Sequence, residues 1–199
     1  MNNDDDHAPL NVPFVRQIEE HSCGAAALEM VYRYCGRTTI KQAKIFRKAV
    51  ELEPHATGNF RMSNGSLIKD ALDRNLYACP QVFDVSSAQA AYRGLGWFLV
   101  QNRVPVIACQ QLSLQEPLLG HYRVIVGLAA HGVILHDPKS QNGSEKWDWD
   151  NFIGHWQGTG KNVVTGGAVI VLRHRIEPLP TIEAVRGKLD EYRRSIAGQ

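Results

Sequence analysis

The pattern of apolar and polar positions divides the chain into a helical first part and a strand-rich second part. The run from Cys23 to Tyr34 is rich in helix formers, carries an apolar face and is followed by Gly36, so it predicts a helix that begins at or just before Cys23. Three more helices are predicted, from Ile40 to Val50, directly after Ser63-Asn64-Gly65, and from Ala88 to Gln101.

Short β-branched runs separated by turn residues follow Asn102 and predict strands. They lie at 104–110, 121–129, 132–138 and 166–173. The step Ala130-His131-Gly132 is typical of a hairpin turn, so the second and third strands are expected to pair antiparallel. Helices first and strands second, without β-α-β alternation, predict an α+β protein whose two halves face each other across a cleft.

Composition and charge indicate one globular domain and argue against two classes of partner. The 199 residues are 44% hydrophobic, and 22 basic against 20 acidic side chains leave a net charge of only +2. This balance gives no electrostatic case for binding nucleic acid or an anionic membrane. The longest apolar runs fall far short of the roughly 18 residues that a membrane helix needs. We therefore expect no nucleic-acid partner and no membrane span.

The N-terminus and the cysteines indicate a reducing compartment. The first six residues are polar and acidic, where a secretory signal would be basic and then apolar. Cys23, Cys35, Cys79 and Cys109 lie far apart and form no C-x-x-C pair, so free thiols are the default. The chain as written reads as cytoplasmic, and a periplasmic location stays open if a signal segment was removed.

Cys23 is the first candidate for chemistry because it stands where the first helix is predicted to begin. The unpaired N–H groups and the dipole of a helix N-terminus favour the thiolate, which is the nucleophilic form. Gln17, six residues earlier, could aim its amide at the same point as the Cys23 N–H and so form an oxyanion hole. The alternatives stay open, since a lone cysteine is more often a small buried hydrophobe and a loop glutamine is more often solvated.

The predicted hairpin brings a histidine and an acid together. His121 opens one strand and Asp137 ends the next, so antiparallel pairing places Asp137 within reach of the His121 ring. An acid there would fix the tautomer and hold the imidazole toward Cys23. Most other histidines are expected to be solvated, with His131 at the turn and His136 on the opposite strand face from Asp137.

A zinc site is an alternative use of the same residues. It would need several of Cys23, His121, His136 and Asp137 as ligands, but no paired ligand spacing supports it, so neither a metal nor another cofactor is expected. His21 lies only two residues from Cys23 and would have difficulty reaching the thiol while also being oriented by an acid. The other three cysteines and the four tryptophans are expected to serve mainly in packing.

Together these residues resemble the C39 peptidases, papain-like cysteine proteases that process double-glycine leader peptides, often as N-terminal domains of peptide exporters. The resemblance rests on five segments, which are 12–17, 21–27, 120–124, 136–138 and the region from Trp147 to Gly158 with Phe152. It implies a papain-like fold, with a helical N-terminal half packed against a C-terminal antiparallel sheet and the active site in the cleft between them. The peptidase domain is placed at 12–175 on this resemblance. The mostly polar residues 1–11 before it are expected to be a flexible N-terminus, and the helical alternation of charge in the tail predicts a helical extension at 176–199.

The same resemblance implies a role for each candidate residue. Cys23 would be the nucleophile, His121 the base and acid, Asp137 the orienting carboxylate, and Gln17 the oxyanion donor. Two positions depart from the family pattern: Ala25 stands where exporter-attached members commonly have proline, and Arg123 puts a charge at a strand position that is usually apolar. Neither departure falls on the four catalytic positions.

The function implied is that of a cysteine endopeptidase that cleaves a peptide or protein, after a Gly-Gly leader motif, through a thioester at Cys23. The chain carries no transporter, so it resembles the stand-alone members, and its expected partners are a peptide substrate and a separate secretion system or transporter. Cleavage after Gly-Gly is a weaker implication than cysteine-dependent acyl transfer. Two alternatives stay open: an amide-forming acyltransferase, since it shares the thioester, and a non-catalytic leader-binding domain.

Overall fold

Five α-helices and a six-stranded sheet make up the part of the chain that the computed structural model describes, residues 8–52, 62–115, 120–157 and 165–173. The helices are α1 (Cys23–Tyr34), α2 (Gln42–Leu52), α3 (Asn64–Asp73), α4 (Ala88–Gly96) and α5 (Trp149–Gln157). The strands are β1 (Tyr77–Val82), β2 (Val106–Gln111), β3 (Gly120–Ala129), β4 (Gly132–His136), β5 (Ser144–Asp148) and β6 (Gly167–Leu172). The strands lie in the order β1-β6-β2-β3-β4-β5, and every neighbouring pair is antiparallel. The predicted α+β class is confirmed.

The first helix packs closely against the sheet because its buried face is made of small residues. Ala25, Ala26 and Ala27 are fully buried, and α1 lies against β3. A Cβ added to Gly24 would lie 3.1 Å from Cδ2 of Tyr122, so glycine lets the strand approach the first turn of the helix. The helix begins at Cys23, as predicted, and this contact places its N-terminus beside the start of β3.

The predicted hairpin between β3 and β4 is confirmed, and its tight turn joins Ala129 to Gly132. A Cβ at Gly132 would collide with the backbone of Trp147 in β5, so glycine is required where the third strand joins the hairpin. The open ends of the two strands lie at the other end of the hairpin, where Asp137 follows β4 and His121 stands near the start of β3. This end of the hairpin meets the N-terminus of α1.

Three elements were not predicted from the sequence. Two are the edge strands of the sheet: β1 contains Pro80, whose missing N–H is tolerated at an edge, and β5 consists mostly of charged or exposed residues. The third is α5, which is short but buries Phe152 and Trp156 completely. Edge strands and short aromatic helices lack the periodic apolar pattern on which the prediction depended.

The segment predicted as one helix from Ala88 to Gln101 changes its hydrogen bonding part-way. The α-helix ends at Gly96 and a π-helical segment, Trp97–Gln101, continues it. The backbone N–H of Asn102 donates to the carbonyl oxygen of Trp97, five residues earlier, which closes the wider turn.

The predicted N-terminal boundary of the domain, at residue 12, lies within the described residues, and the predicted C-terminal boundary, at residue 175, lies outside them. Leu10 is buried, and its N–H donates to the carbonyl oxygen of Val126, so packing against the sheet begins ahead of residue 12. The predicted extension at 176–199 lies outside the residues that the structure describes. Within the described ranges, no helix is long and apolar enough to cross a membrane.

Candidate active site

Cys23 occupies the first turn of α1 and is almost fully buried, with 6% of its surface exposed. Burial on its own raises the pKa of a thiol, but four other influences outweigh it here. They are the charge and hydrogen bond of the His121 ring, and hydrogen bonds from the backbone N–H groups of Tyr122 and Gly24. The pKa of Cys23 is therefore held below its ordinary value, which favours the thiolate.

His121 lies between this thiol and an acid. Its Nε2 is 2.6 Å from Oδ1 of Asp137, so the contact predicted from the hairpin is confirmed. Because Nε2 donates to the carboxylate, Nδ1 is the ring nitrogen left for the Cys23 hydrogen bond. Burial lowers the pKa of His121. The Cys23 thiolate and the Asp137 carboxylate raise it by more, so the net shift is upward. A lowered thiol pKa beside a raised imidazole pKa favours a thiolate–imidazolium pair.

Asp137 is held on both of its carboxylate oxygens. Oδ1 also accepts from the backbone N–H of Lys139 at 2.8 Å, and Oδ2 accepts from Nε of Arg123 at 2.8 Å. Burial raises the pKa of this carboxyl group, but His121, Arg123 and the Lys139 N–H bring it well below its usual range. Asp137 is therefore a fixed carboxylate, able to orient the imidazole and stabilise its charged form.

The Asp137–Arg123 contact was missed in the sequence analysis, where Arg123 was noted only as a departure that falls on none of the four positions. Arg123 touches one of them because of the strand register, which a local pattern does not show. The pairs Gly127↔Ile134 and Val124↔His136 show that β3 holds one extra residue, Val126, in a bulge. The bulge moves Arg123 rather than Val124 opposite Asp137, which places the two charged groups on one face.

Gln17 lies beside the turn that follows Asp137, since its backbone N–H donates to the carbonyl oxygen of Pro138 at 2.9 Å. Its side-chain amide is occupied, because Nε2 donates to the carbonyl oxygens of Glu19 at 2.8 Å and Glu20 at 2.9 Å. Its Oε1 is buried without a hydrogen-bond partner among the described residues. An oxyanion role would require this amide to turn away from the two carbonyls.

A family model described as the Peptidase_C39 like family matches residues 9–164, which include Gln17, Cys23, His121 and Asp137. The chain belongs to this family. No curated protein sequence matches it.

Solved structures of C39 peptidase domains share the fold over most of both chains. A double glycine motif protease from an AMS/PCAT transporter, in complex with the leader peptide, is 18% identical with a TM-score of 0.58, covering 83% of this chain and 94% of that one. The peptidase domain of Streptococcus ComA is 18% identical, with a TM-score of 0.56 and coverage of 79% and 96%. A C39-like peptidase from Bacillus anthracis is 16% identical, with a TM-score of 0.60 and coverage of 83% and 98%. The fold is therefore that of the C39 peptidase domains.

A narrow cavity of about 50 Å³ opens beside the thiol of this C39-like chain. It is lined by Glu20, His21, Cys23, Leu112, Gly120, His121 and Lys139. Gln17 is not among these lining residues, and a larger cavity of about 360 Å³, between Tyr34 and Arg173, contains none of the four candidates. Gly120 contributes no side chain to the wall of this small cavity.

The other histidines have separate surroundings. His131 is exposed at the turn, as predicted, and His21 is half-buried at the small cavity. His136 is buried against the Val12 carbonyl, on the side away from Asp137 as predicted, while His155 is buried in α5. The expectation that most are solvated is therefore wrong for these two, because the N-terminal segment covers His136 and His155 packs against the ring of Trp147. His7, His55 and His174 lie outside the described residues.

The remaining cysteines and tryptophans stay away from the small cavity. Burial raises the pKa of Cys35 and Cys79, and Cys109 is buried in β2. Among the tryptophans, Trp156 is buried and Trp97 is half-exposed. Within the described ranges no three His, Cys, Asp or Glu side chains come together as metal ligands.

Proposed function

We propose that this protein is a cysteine peptidase in which Cys23 is the nucleophile, His121 the acid and base, and Asp137 the orienting carboxylate. One observation carries the proposal. Cys23 at a helix N-terminus is hydrogen-bonded to His121, whose Nε2 lies 2.6 Å from Asp137. These three connected side chains are buried, and Cys23 and His121 border a cavity. The arrangement has the nucleophile, base and orienting group that covalent acyl transfer requires.

The reaction proceeds in two halves. The Cys23 thiolate attacks the scissile carbonyl carbon, and His121 gives its proton to the leaving amine as the C–N bond breaks, which leaves a thioester on Cys23. A water molecule then loses a proton to His121 and attacks the thioester, releasing the carboxylic product and restoring the thiolate–imidazolium pair. These steps need no metal or cofactor.

The oxyanion is stabilised by backbone N–H groups at the N-terminus of α1 and, in our proposal, by the amide of Gln17. Gln17 stands next to the turn after Asp137, which supports this role. Its amide is bound to the carbonyls of Glu19 and Glu20, so the role includes a rotation of the side chain when substrate enters.

For the substrate we propose a peptide or protein cut after a Gly-Gly motif. The narrow cavity with Gly120 in its wall supports this choice, since it has little room for a side chain next to the scissile bond. The double glycine motif protease with a similar fold was solved with its leader peptide, which supports a peptide ligand for this chain. A separate transporter or secretion system would then receive the processed product.

The test compares wild type, Cys23→Ala and the matched control Cys35→Ala on a panel of Gly-Gly leader peptides, with products identified by mass spectrometry. We expect cleavage after Gly-Gly by wild type and Cys35→Ala, and none by Cys23→Ala. Equal cleavage by Cys23→Ala would show that the nucleophile is wrong. Adding an amine acceptor to the same reactions separates hydrolysis from acyl transfer, because a transferase would yield the amide product.

A non-catalytic leader-binding domain is the remaining alternative. Such a domain has no use for a thiol whose pKa is lowered by a histidine, so the Cys23–His121 contact favours catalysis. If wild type binds the peptides but never cleaves them or forms a thioester, the binding function replaces the peptidase proposal.

A further inference from the structure

Arg123 is a buried cation in the middle of the candidate active site, with 3% of its surface exposed. Its Nε donates to Oδ2 of Asp137 at 2.8 Å. On the other side of the guanidinium, Nη1 donates to the carbonyl oxygen of Gln111 at 3.0 Å and Nη2 to that of Leu112 at 3.2 Å. The planar group therefore joins the carboxylate at the end of β4 to the end of β2.

The guanidinium of Arg123 also stacks on an aromatic ring. It lies over the indole of Trp147, with the carbon Cζ 4.5 Å from the ring centroid. The indole N–H donates to Oε2 of Glu145, two residues earlier on the same strand β5, at 2.9 Å, which fixes the ring. A planar fork that donates to a carboxylate and to two backbone carbonyls and also stacks on a ring is a geometry that lysine cannot reproduce.

These contacts connect two parts of the site that the reaction needs. Asp137 holds the ring of His121, and Leu112 is a wall residue of the cavity beside Cys23. A buried ion pair is weak evidence for a stabilising role, because desolvation offsets much of its attraction. Its place between the orienting carboxylate and the cavity wall indicates a role in geometry instead.

We propose that Arg123 is a positioning residue that acts through Asp137: its fork fixes the carboxylate so that Oδ1 stays on His121, and it anchors Leu112 at the cavity wall. This positioning role rests on the proposed peptidase function, but it can be tested without a substrate. Without the fork, Oδ2 loses its arginine donor and the carboxylate is free to turn. His121 is then held less firmly beside the thiol.

The readout is the thiolate content of Cys23, and several groups contribute to it. The titratable neighbours of Arg123 on the elements packed around it are Cys23 on α1, His121 on β3, Asp137 after β4, Glu145 on β5 and His155 on α5. The cavity adjoining the thiol also contains Glu20, His21 and Lys139. The single substitutions of Arg123 leave all of these groups unchanged, so a shift in those variants is assigned to Arg123.

The experiment measures the rate of Cys23 alkylation by iodoacetamide from pH 5 to 9, with peptide mass spectrometry identifying the labelled cysteine. Arg123→Met is compared with wild type and with Arg74→Met. Arg74 is a matched control, since it also pairs with an aspartate, Asp70, and lies over a tyrosine ring away from the site. We expect Arg123→Met to slow labelling at pH 6 about tenfold, because a smaller fraction of Cys23 is then present as the thiolate. Arg74→Met should leave the rate unchanged.

A double-mutant cycle with Asp137→Asn tests whether Arg123 acts through the carboxylate. We expect Arg123→Met to slow labelling much less in the Asp137→Asn background than in wild type. Two results would overturn the proposal: a folded Arg123→Met protein with the wild-type labelling profile, or the same fold-loss in both backgrounds. Circular dichroism confirms that each variant is folded.

If Arg123→Met does not fold, Arg123→Lys is used in its place to test the positioning role. Lysine keeps the positive charge but not the fork, so a folded Arg123→Lys protein should still label Cys23 more slowly than wild type. Wild-type labelling by Arg123→Lys would mean that charge alone suffices, and the positioning role would be wrong. Arg123-dependent labelling in a protein that cleaves no peptide would refute the peptidase and leave this inference standing, so the two failures are distinguishable.

Discussion

The ring of Tyr122 lies against the backbone of Gly24, so closely that a Cβ at Gly24 would be 3.1 Å from Cδ2 of the ring. Each residue is the chain neighbour of a candidate catalytic residue, since Gly24 follows Cys23 and Tyr122 follows His121. The backbone N–H of Tyr122 also donates to the Cys23 sulfur. This contact therefore sets the distance between the helix that bears the thiol and the strand that bears the imidazole.

Gly24→Ala should disturb this contact, although alanine is the better helix former. The added methyl group would press on Tyr122 and on Cδ1 of Leu67, which is 3.2 Å from the Cβ position. We expect a loss of about 1–3 kcal/mol in the free energy of unfolding and slower alkylation of Cys23. Urea denaturation and iodoacetamide labelling measure the two effects.

Gly65→Ala is the matched control for this substitution. It also lies in the first turn of a helix, α3, but its nearest contact would be Ser63 Oγ at an ordinary 3.4 Å. Alanine should therefore keep or raise stability there, by up to about 1 kcal/mol, and leave Cys23 labelling unchanged. If both substitutions behave alike, the Gly24–Tyr122 contact does not control the site.

The pH dependence of Cys23 reactivity should distinguish it from the other thiols. The His121 charge holds the pKa of Cys23 below the ordinary 9.0, while burial raises the pKa of Cys35 and Cys79. Labelling of Cys23 should therefore begin at a lower pH than labelling of the other two, and His121→Ala should move its onset upward. Equal onset for all three thiols in wild type would contradict the thiolate–imidazolium pair.

Peptidase activity should fall in both acid and alkaline solution. As pH drops through the lowered pKa of Cys23 the thiolate is protonated, and as pH rises through the raised pKa of His121 the acid that protonates the leaving amine is lost. We expect a bell-shaped dependence of kcat/KM on pH, measured with a cleaved leader peptide. An alkaline limb below 6.5, the ordinary value for histidine, would contradict the raised pKa of His121.

Asp137→Asn should destabilise the protein as well as inactivate it, because it leaves the buried charge of Arg123 without its carboxylate. The expected loss at pH 7 is about 3–5 kcal/mol in the free energy of unfolding. The pKa of Asp137 is lower in the folded protein than in the unfolded chain, so its contribution is present above the unfolded pKa, near 3.8, and is lost as pH falls through the folded one. The difference between wild type and Asp137→Asn should therefore shrink only in acid.

Urea denaturation at neutral and acid pH measures this difference. Asp73→Asn is the control, since Asp73 is paired with Lys48 and Lys69 at the exposed surface, where ion pairs contribute little. Its effect on unfolding should be much smaller than that of Asp137→Asn at pH 7. A difference for Asp137→Asn that does not change on acidification would show that its charge is not what stabilises the fold.

The sequence was sufficient to predict the parts of the site that depend on local pattern. Helix α1 begins at Cys23 because small apolar residues follow it, and the hairpin turn brings His121 to Asp137. The face on which each side chain lies could not be read in the same way, since the contacts of Asp137 with both His121 and Arg123 depend on a bulge at Val126 that changes the register by one residue. A register drawn without the bulge would put Asp137 opposite Val124, on the wrong face.

The bulge itself has a tertiary cause that no local pattern shows. The carbonyl oxygen of Val126 accepts the N–H of Leu10, and a Cβ at Gly127 would meet Pro9 at 3.0 Å. The N-terminal segment therefore packs on the irregular part of β3, more than a hundred residues away in sequence. Contacts of this kind are set by packing between distant segments, which is also why the edge strands β1 and β5 escaped prediction.

Gln17→Ala tests the oxyanion role that we propose for a side chain now bound to two carbonyls of its own loop. If the amide turns to the oxyanion during the reaction, its loss should lower kcat by about 10²–10³-fold, because the donor acts on the transition state. The matched control is Gln42→Ala: Gln42 binds the same loop through the carbonyl of Arg16 and the N–H of Ile18. We expect Gln42→Ala to lower the melting temperature while the folded protein keeps most of its kcat. A Gln17→Ala protein with wild-type kcat would show that backbone N–H groups alone stabilise the oxyanion.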